Sequence, residues 1–585
     1  MYMGGVDARQ QTGKALVRGR ILDAVNELGR LFFRLGVCHL CCLCACSIPE
    51  VDRPPPPAPP AAGLFVDVAV DVGLTRVHTG GGPDKGYIVE AKGGGVAALD
   101  FDDDGDIDIY WVNGATLEAP HRGGGNALYR NDGDRFTDVA EAQGTLGRGW
   151  GMGAISADYD NDGDADLYVT NLQANILYRN DGGGRGFTDV TPSAGVALPR
   201  WSTGAAFADS DLDGDLDLYV ASYAVLDTTT IAPLGTQWKG VPAFVGPLGL
   251  RAAPDAFFRN EGDGSFSEST AEAGVGHVDP GYGFTVIFAD CDADGDPDLY
   301  VANDSSPNFL FRNEGGGRFS DHSLRANAAF GEAGISQASM GVARGDYDGD
   351  GLADIFVTNF EDDYNTLYRN DGEGQFIDMS FYAGLASPSL NYVGFGTNFA
   401  DFDNDSDLDL FVANGHVYPA IVDGGTGASY AETDHLFENL GDGRFALHPE
   451  AGEFFATARV SRGSCAADFD NDGDIDIFVS NLNDRPVLLR NEVGNRLNWV
   501  GYQLRGTIGN RDAIGAHVQL FAGGRRQVRD VLCGSSFLSS EHRRVHFGLG
   551  SAVAVDSLLV RWPAGTVQRL YNLAVNQYAL IEEPR

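Results

Sequence analysis

A nine-residue pattern of aspartates, written seven times, constrains this chain more than any other feature. It first stands as DFDDDGDID at Asp100. It returns as DYDNDGDAD (Asp158), DSDLDGDLD (Asp209), DCDADGDPD (Asp290), DYDGDGLAD (Asp346), DFDNDSDLD (Asp401) and DFDNDGDID (Asp468). Every copy has Asp at positions 1, 3, 5 and 9; six have Gly at position 6, and Ser406 replaces it in the sixth copy. Successive copies start 51 to 81 residues apart, a spacing that belongs to repeated supersecondary units.

The surroundings repeat as well. A Gly-rich, small-residue run such as GMGAISA or GFTVIFA precedes each loop, and a run such as LYVTN or LFVAN follows it. LYRNDG-type and FTDV-type segments come next, as in NTLYRNDGEGQFIDMS. Four short runs rich in β-branched and aromatic residues, punctuated by Asn-Asp-Gly turns, predict four strands per unit. Nothing at helical period competes with them. The fold class expected is all-β: a seven-bladed β-propeller over residues 64–495, then a small β domain over 496–585. The seventh unit lacks its FTDV strand, and LFVDVAVDVGL at 64–74 has that character. Residues 64–74 are therefore expected to pair with the last blade and close the ring, which removes exposed sheet edges.

Alternating carboxylates, a glycine and a ninth-position Asp suit a cage of oxygens around one hard cation. Alternation turns positions 1, 3 and 5 inward, position 6 takes the sharp bend, and position 7 offers its carbonyl. The candidate ligands are Asp100, Asp102, Asp104, Asp106 and Asp108 in the first loop, and Asp158, Asp160, Asp162, Asp164 and Asp166 in the second. Asp209, Asp211, Asp213, Asp215 and Asp217 form the third set, and Asp290, Asp292, Asp294, Asp296 and Asp298 the fourth. The fifth set is Asp346, Asp348, Asp350, Leu352 and Asp354, and the sixth Asp401, Asp403, Asp405, Asp407 and Asp409. Asp468, Asp470, Asp472, Asp474 and Asp476 complete the seventh. No Glu stands at position 12 and no helical pattern flanks the loops, so these are not EF-hands. A cage of many carboxylates favours calcium over magnesium, with about seven ions in all. The alternatives are a solvated acidic loop and catalytic carboxylates. A mechanism needs one or two acids with shifted pKa in a cleft, not one quartet repeated around a ring. The glycine runs resemble phosphate loops, but they precede an Asp loop and no helix.

A formal net charge of -42 makes self-repulsion severe unless cations relieve it. It also argues against nucleic acid, whose phosphates require basic patches, and against electrostatic docking on anionic lipid. The N-terminus is different material. Arg30 and Arg34 precede an apolar run from Leu35 to Cys46, the pattern of a secretory signal and too short for a permanent membrane span. Its end, Leu43-Cys44-Ala45-Cys46, resembles a bacterial lipobox, with Cys46 as the lipidated residue. An ordinary cleaved signal and a cytoplasmic chain are the alternatives. Residues 1–46 are read as the signal and 47–63 as a stiff proline-rich linker. The expected location is extracytoplasmic, anchored in a bacterial cell envelope or secreted. Beyond that segment only Cys291, Cys465 and Cys533 remain, which gives neither a zinc site nor a disulfide framework.

With these residues in view, the blades resemble the FG-GAP or VCBS repeats of integrin-like propellers. NRDAIGAHV (510–518), HFGLG (546–550) and VRWPAG (560–565) resemble the UnbV/ASPIC domain, and GPLGL (246–250) and NGHVYP (414–419) resemble segments of proteins that carry it. The resemblance implies calcium binding and an extracytoplasmic setting; it implies no reaction. Arg525, Arg526, Arg529, Arg543 and Arg544 collect in the C-terminal domain, either to bind an anionic ligand or to dock on the acidic propeller.

Strand order places the Asp loops and the Asn-Asp-Gly turns on one face of the ring. Loops from second to third strand emerge on the other, and both long insertions fall there. Residues 223–254 hold Trp238 and Phe244, and residues 415–433 hold His416 and Tyr418. Asn414 belongs to a series with Asn113, Asn171, Ser222, Asn303, Asn359 and Asn481, five residues after each ninth-position Asp. That series is either a polar ring or a set of local turn-stabilising residues. Trp238, Phe244, Asn414, His416 and Tyr418 are the candidate ligand contacts, since insertions on one face of a rigid scaffold commonly build binding sites. The function expected is a calcium-binding, non-catalytic adhesion or binding module for protein or carbohydrate, touching a membrane only through a lipid anchor. The alternative is an extracytoplasmic enzyme acting on polysaccharide through the same face. No Ser/His/Asp order, paired Glu or zinc cluster supports that alternative.

Overall fold

The computed structural model describes residues 64–276, 279–424, 427–448 and 451–585. Cys46, the apolar run before it and the proline-rich stretch lie outside the described residues. Among those described, no helix is long and apolar enough to cross a membrane.

Each aspartate loop joins two antiparallel strands. In the second repeat Gly151–Ala157 pairs with Asp166–Asn171, which pairs with Ile176–Asn180, which pairs with Phe187–Asp189. Seven four-stranded sheets are built this way. Their first strands face the centre. Val96–Leu99 touches both Gly151–Ala157 and Ser461–Ala467, and the other first strands contact one another in chain order, so the ring is closed. The innermost strands need small residues because backbones approach closely there. A Cβ on Gly204 would stand 2.1 Å from the Phe284 carbonyl oxygen, and one on Gly341 2.0 Å from that of Phe395. This close packing, and no phosphate, accounts for the glycine runs.

The fourth strand of the last sheet comes from the other end of the described chain. Phe65–Asp67 pairs antiparallel with Val487–Asn491, Phe65 opposite Asn491. The Phe65 ring is buried edge-on against Phe402, with centroids 5.5 Å apart. Only three of the residues from 64 to 74 are strand. Val68, Ala69 and Leu74 turn instead into the core between the last blade and the first, beside Phe136 and Phe469.

Two sheets form the C-terminal domain. Val545–Gly550, Asn498–Arg505 and Tyr578–Glu582 make one; Arg525–Asp530, His517–Ala522, Val555–Arg561 and Val567–Leu573 make the other. Val500, Tyr502 and Phe547 pack against Val518, Leu520 and Leu558, in one hydrophobic cluster with Ile155 and Phe207 of the propeller. From this domain, residues 534–540 enter the centre of the ring. Ser536 and Val342 exchange two backbone hydrogen bonds at 2.7 and 2.8 Å. Ser540 N–H donates to Val96 O at 2.9 Å, and Ala98 N–H donates to Ser540 O at 3.0 Å. Phe537 is fully buried between Phe284 and Phe395. The channel is thus filled by the chain's own backbone and by the buried side chains of Phe537 and Leu538.

Candidate metal centres and the two faces of the ring

All seven aspartate loops share one geometry. The first Asp accepts a hydrogen bond from the position-6 amide: Gly105 to Asp100 at 3.0 Å, Gly163 to Asp158 at 2.9 Å, and so on to Gly473 to Asp468 at 2.8 Å. Ser406 fills that role for Asp401 at 2.9 Å, and does so at φ 89°, a conformation glycine adopts without strain. This bond occupies one carboxylate oxygen and turns the other inward. In the first loop one oxygen each of Asp100, Asp102 and Asp108 lie within 4.8 Å of one another, and groups of three loop aspartates do the same in the second to fifth loops.

The inward oxygens are the decisive observation. Asp100 Oδ1, Asp160 Oδ1, Asp209 Oδ1, Asp290 Oδ1, Asp346 Oδ1, Asp401 Oδ1 and Asp474 Oδ1, at least one from every loop, are buried without a hydrogen-bond partner. Buried carboxylate oxygens without donors are costly unless a cation meets them. Burial, then neighbouring carboxylates, pushes Asp158 and Asp209 up to about 7 and Asp108 and Asp298 up to about 8. A divalent ion would reverse that direction. The donor set, all hard oxygens, fits a metal ion of the calcium or magnesium type.

One component of this design escaped the sequence reading. The Asn that ends each third strand (Asn131, Asn180, Asn260, Asn313, Asn370, Asn439, Asn491) bridges two loops with its Nδ2. Asn370 donates to Ala353 O in its own loop at 3.4 Å and to Cys291 O in the preceding blade's loop at 2.9 Å. Asn131 joins the ends of the ring by donating to Phe469 O at 2.7 Å. Its backbone N–H meanwhile donates to the ninth-position Asp108 at 2.7 Å. The signal stands in the sequence, since Asn recurs in every LYRND-type segment, but a turn residue looks the same there as a bridging one.

The C-terminal domain lies on this loop face, and four of its five named arginines reach the propeller. Arg544 donates to Gly105 O at 2.5 Å and Asn471 Oδ1 at 2.8 Å, and Arg525 to Asp405 O at 3.3 Å. Arg526 donates to Asp350 O, and Arg543 to Ser156 O at 3.0 Å. Tyr578 O–H donates to Asp468 Oδ2 at 2.6 Å. Among the described residues Arg529 makes hydrogen bonds only within its own domain, to Val528 O and Gln527 Oε1, while the carboxylates of Asp401 and Asp346 of the propeller loops favour its charge.

The opposite face is closed. Asn414 and His416 are 0% exposed, and Phe244 and Tyr418 are buried. Trp238, Phe244, His416 and Tyr418 come together with Phe360, the Phe244 and Tyr418 rings 4.7 Å apart. They surround Glu361, which was not foreseen. His416 Nδ1 accepts from Tyr418 N–H at 3.0 Å, so its Nε2–H donates to Glu361 Oε1, also at 3.0 Å. Burial pushes the Glu361 carboxyl up, but hydrogen bonds from His416, Trp238 and Lys239 outweigh it and hold the group at about 2. His416 and Glu361 are both buried beneath the insertions, so this imidazole–carboxylate pair does not face solvent. Three members of the Asn series serve their own loops, whereas Asn113 Oδ1 accepts from the distant Thr79 N–H at 2.7 Å. Asn414 donates to Thr433 O at 2.9 Å, Asn303 to Pro307 O at 2.7 Å and Asn359 to Tyr364 O at 2.8 Å, each within its own loop.

Comparison with known proteins agrees with this architecture. The FG-GAP-like repeat model matches residues 100–169, 158–220, 249–301, 290–357 and 346–412, and the ASPIC and UnbV model matches residues 506–585. Cartilage acidic protein 1 of Mus musculus is 29% identical over 388 residues, 64% of this chain and 54% of that protein. Its Homo sapiens counterpart is also 29% identical, over 64% of this chain and 52% of its own length. The chain therefore spans about half the length of the curated relatives it matches. A solved Agrocybe aegerita lectin that recognises non-reducing terminal N-acetylglucosamine overlaps 67% of this chain and 86% of its own, at 16% identity and a TM-score of 0.36, too loosely to carry an argument. The chain is an FG-GAP-repeat β-propeller with a C-terminal ASPIC and UnbV domain, homologous to cartilage acidic protein 1.

Proposed function

We propose that this chain is an extracytoplasmic, calcium-clamped propeller that serves as a non-catalytic adhesion or binding module. The observation that carries the reading is the set of buried, unpartnered carboxylate oxygens, at least one in each of the seven loops. Calcium at those oxygens would cancel carboxylate repulsion and stiffen the hairpins that define one face of the ring. The first, third, fifth and ninth aspartates and the position-7 residue of each loop would hold it.

The partner is a protein or a carbohydrate, met on the face of the insertions. Asn414, His416, Phe244 and Tyr418 brace that face from beneath. Contact falls to what stands above them: half-exposed Trp238 with its neighbour Lys239 on the hairpin Thr236–Trp238/Val241–Ala243, and exposed Leu248. The domain boundaries are placed at 64–495 for the propeller and 496–585 for the domain that follows. Delivery would run through the signal-like segment, with Cys46 as a lipid anchor. Replacing Cys46 by Ser is expected to release the protein from membranes in its host, and continued retention would refute the anchor.

Titration of metal-stripped protein with calcium by calorimetry is expected to show about seven sites, and chelation to lower the melting temperature markedly. No heat of binding and an unchanged melt would overturn the calcium reading. A glycan array probed with and without calcium then separates a carbohydrate partner from a protein one.

A further inference from the structure

The seven aspartate loops share one design, but the arginine beside them takes two different courses. In six blades the residue before the bridging Asn is an arginine: Arg130, Arg179, Arg259, Arg312, Arg369 and Arg490. The sixth blade has Glu438 at this position. In four blades the guanidinium is held by the acid two residues on. Arg130 donates to Asp132 at 2.8 Å, Arg179 to Asp181 at 2.7 Å, Arg369 to Asp371 at 3.1 Å and Arg490 to Glu492 at 2.8 Å.

Arg259 and Arg312 turn into their loops instead. Arg259 Nη1 pairs with Asp211 Oδ2 and lies 3.2 Å from Asp217 Oδ2, the third and ninth positions of the third loop. Arg312 Nη2 lies 2.7 Å from Asp292 Oδ2 and 3.3 Å from Asp294 Oδ2, the third and fifth positions of the fourth. The difference goes with one residue of the turn. These two blades write RNEG where the first, second and fifth write RNDG. The longer Glu reaches across to the serine paired opposite the arginine: Ser267 Oγ donates to Glu261 and Ser320 Oγ to Glu314, each at 2.6 Å. The shorter Asp stays beside the guanidinium. Glu492 keeps its arginine because Val66, not a serine, stands opposite Arg490. The oxygen groups of the loops differ accordingly. Positions 1, 3 and 9 gather in the first, second and fifth loops, but positions 1, 3 and 5 in the third and fourth.

We propose that Arg259 and Arg312 are built-in counter-cations that compete with calcium, so that the third and fourth loops are filled later than the first, second and fifth. This rests on the calcium reading above. A guanidinium on two ligand carboxylates supplies part of the positive charge the cage requires, and it must give way before a metal ion can use the same oxygens. Arg259 Nη2 also donates to Gly317 O, in the turn of the fourth blade, at 3.2 Å. Arg259 would leave that carbonyl when it yields its loop, so the contact between these two adjacent blades would respond to calcium concentration.

The test is hydrogen exchange read by mass spectrometry on the full chain in a series of calcium buffers, each loop peptide giving its own midpoint. In the parent, peptides over 209–217 and 290–298 are expected to become protected at about tenfold more calcium than those over 100–108, 158–166 and 346–354. Arg259→Gln should bring the third-loop midpoint down to that of the first, second and fifth loops. Arg369→Gln, at a guanidinium that faces Asp371, should leave the fifth-loop midpoint unchanged. Arg259→Gln should also melt lower than the parent in chelator, where Asp211 and Asp217 lose their cation, yet no lower in saturating calcium; a purely structural arginine would lower both. If Arg259→Gln does not fold, Glu261→Asp gives the third blade an RNDG turn and should lower the same midpoint several-fold. One midpoint for all loops, or a third-loop midpoint unmoved by either substitution, would overturn this proposal and leave the calcium reading standing. Calcium-dependent protection in no loop would overturn both.

Discussion

Asn370 shows how one side chain couples two blades. Its amide serves the carbonyls of Ala353 and Cys291, and its Oδ1 accepts from Gly372 N–H at 3.0 Å. Alanine there leaves two buried carbonyls without a donor, which costs about 2–4 kcal/mol. A urea titration should move to a lower midpoint at unchanged slope, while Arg369→Ala, at the neighbouring exposed ion pair, should change it little. The loop aspartates set a pH dependence of unusual sign. Without metal, burial and then neighbouring carboxylates raise Asp100 and Asp346 from 3.8 to about 6, and Asp158 and Asp209 to about 7. A folded-state pKa above the unfolded one means that the folded chain holds more protons between roughly pH 4 and pH 7, so its stability falls as pH rises through that window. His78 and His546, lowered by burial to about 3, and His435, lowered to about 4, oppose this by losing stability as pH falls from 6.5, but the raised carboxylates outnumber them. Metal-free protein is expected to melt at a higher temperature at pH 5 than at pH 8, and calcium to cancel the difference. A metal-free melt that rises with pH would refute the account. The loop ligands could be read from sequence because they are neighbours in the chain. The Asn370 bridge could not, because Cys291 stands 79 residues away and meets it only once two blades are side by side.

At the scale of elements, the strand Phe65–Asp67 gives the last sheet the strand it lacks. Removing residues 64–74 leaves the edge Val487–Asn491 unpaired and strips Val68, Ala69 and Leu74 from the core between the first and last blades. An unpaired edge of that kind recruits other chains. The deletion variant should melt lower and associate at high concentration; a monomer as stable as the parent would show that the ring does not depend on this strand. This element was legible because six complete repeats reveal what the seventh omits, although the pairing itself spans fewer residues than the motif suggested. The segment at 534–540 was not legible. GSSFLSS has neither strand alternation nor charge, and its partners are backbone groups of Val96, Ala98 and Val342, which no side-chain pattern announces. The glycines that admit it were visible but pointed elsewhere. Gly95 is required where a Cβ would stand 1.8 Å from Leu538 O, a contact that exists only after the plug is in place.

The whole molecule is an interlock. The C-terminal domain touches the aspartate loops from above through Arg525, Arg526, Arg544 and Tyr578, and sends Phe537 down the axis to Phe284 and Phe395. Truncating Phe537 to Ala empties a fully buried site and should cost about 3–5 kcal/mol, far from either chain end or any loop ligand. The loops and the plug are also linked through their shared domain. If calcium fixes the loop carbonyls of Gly105, Asp350 and Asp405, it fixes the acceptors on which three arginines rest. Losing the metal should then loosen the domain and, with it, the plug. Hydrogen exchange reads this directly, since the amides of Ser536 and Ser540 are held by Val342 O and Val96 O inside the ring. With calcium they should exchange only through global unfolding. After chelation they should exchange faster than amides of the inner strands, such as Ala98, through partial release of the domain. Equal protection of Ser536 and Ser540 with and without calcium would mean that the domain holds its place without the metal, and that the loops stabilise the blades alone.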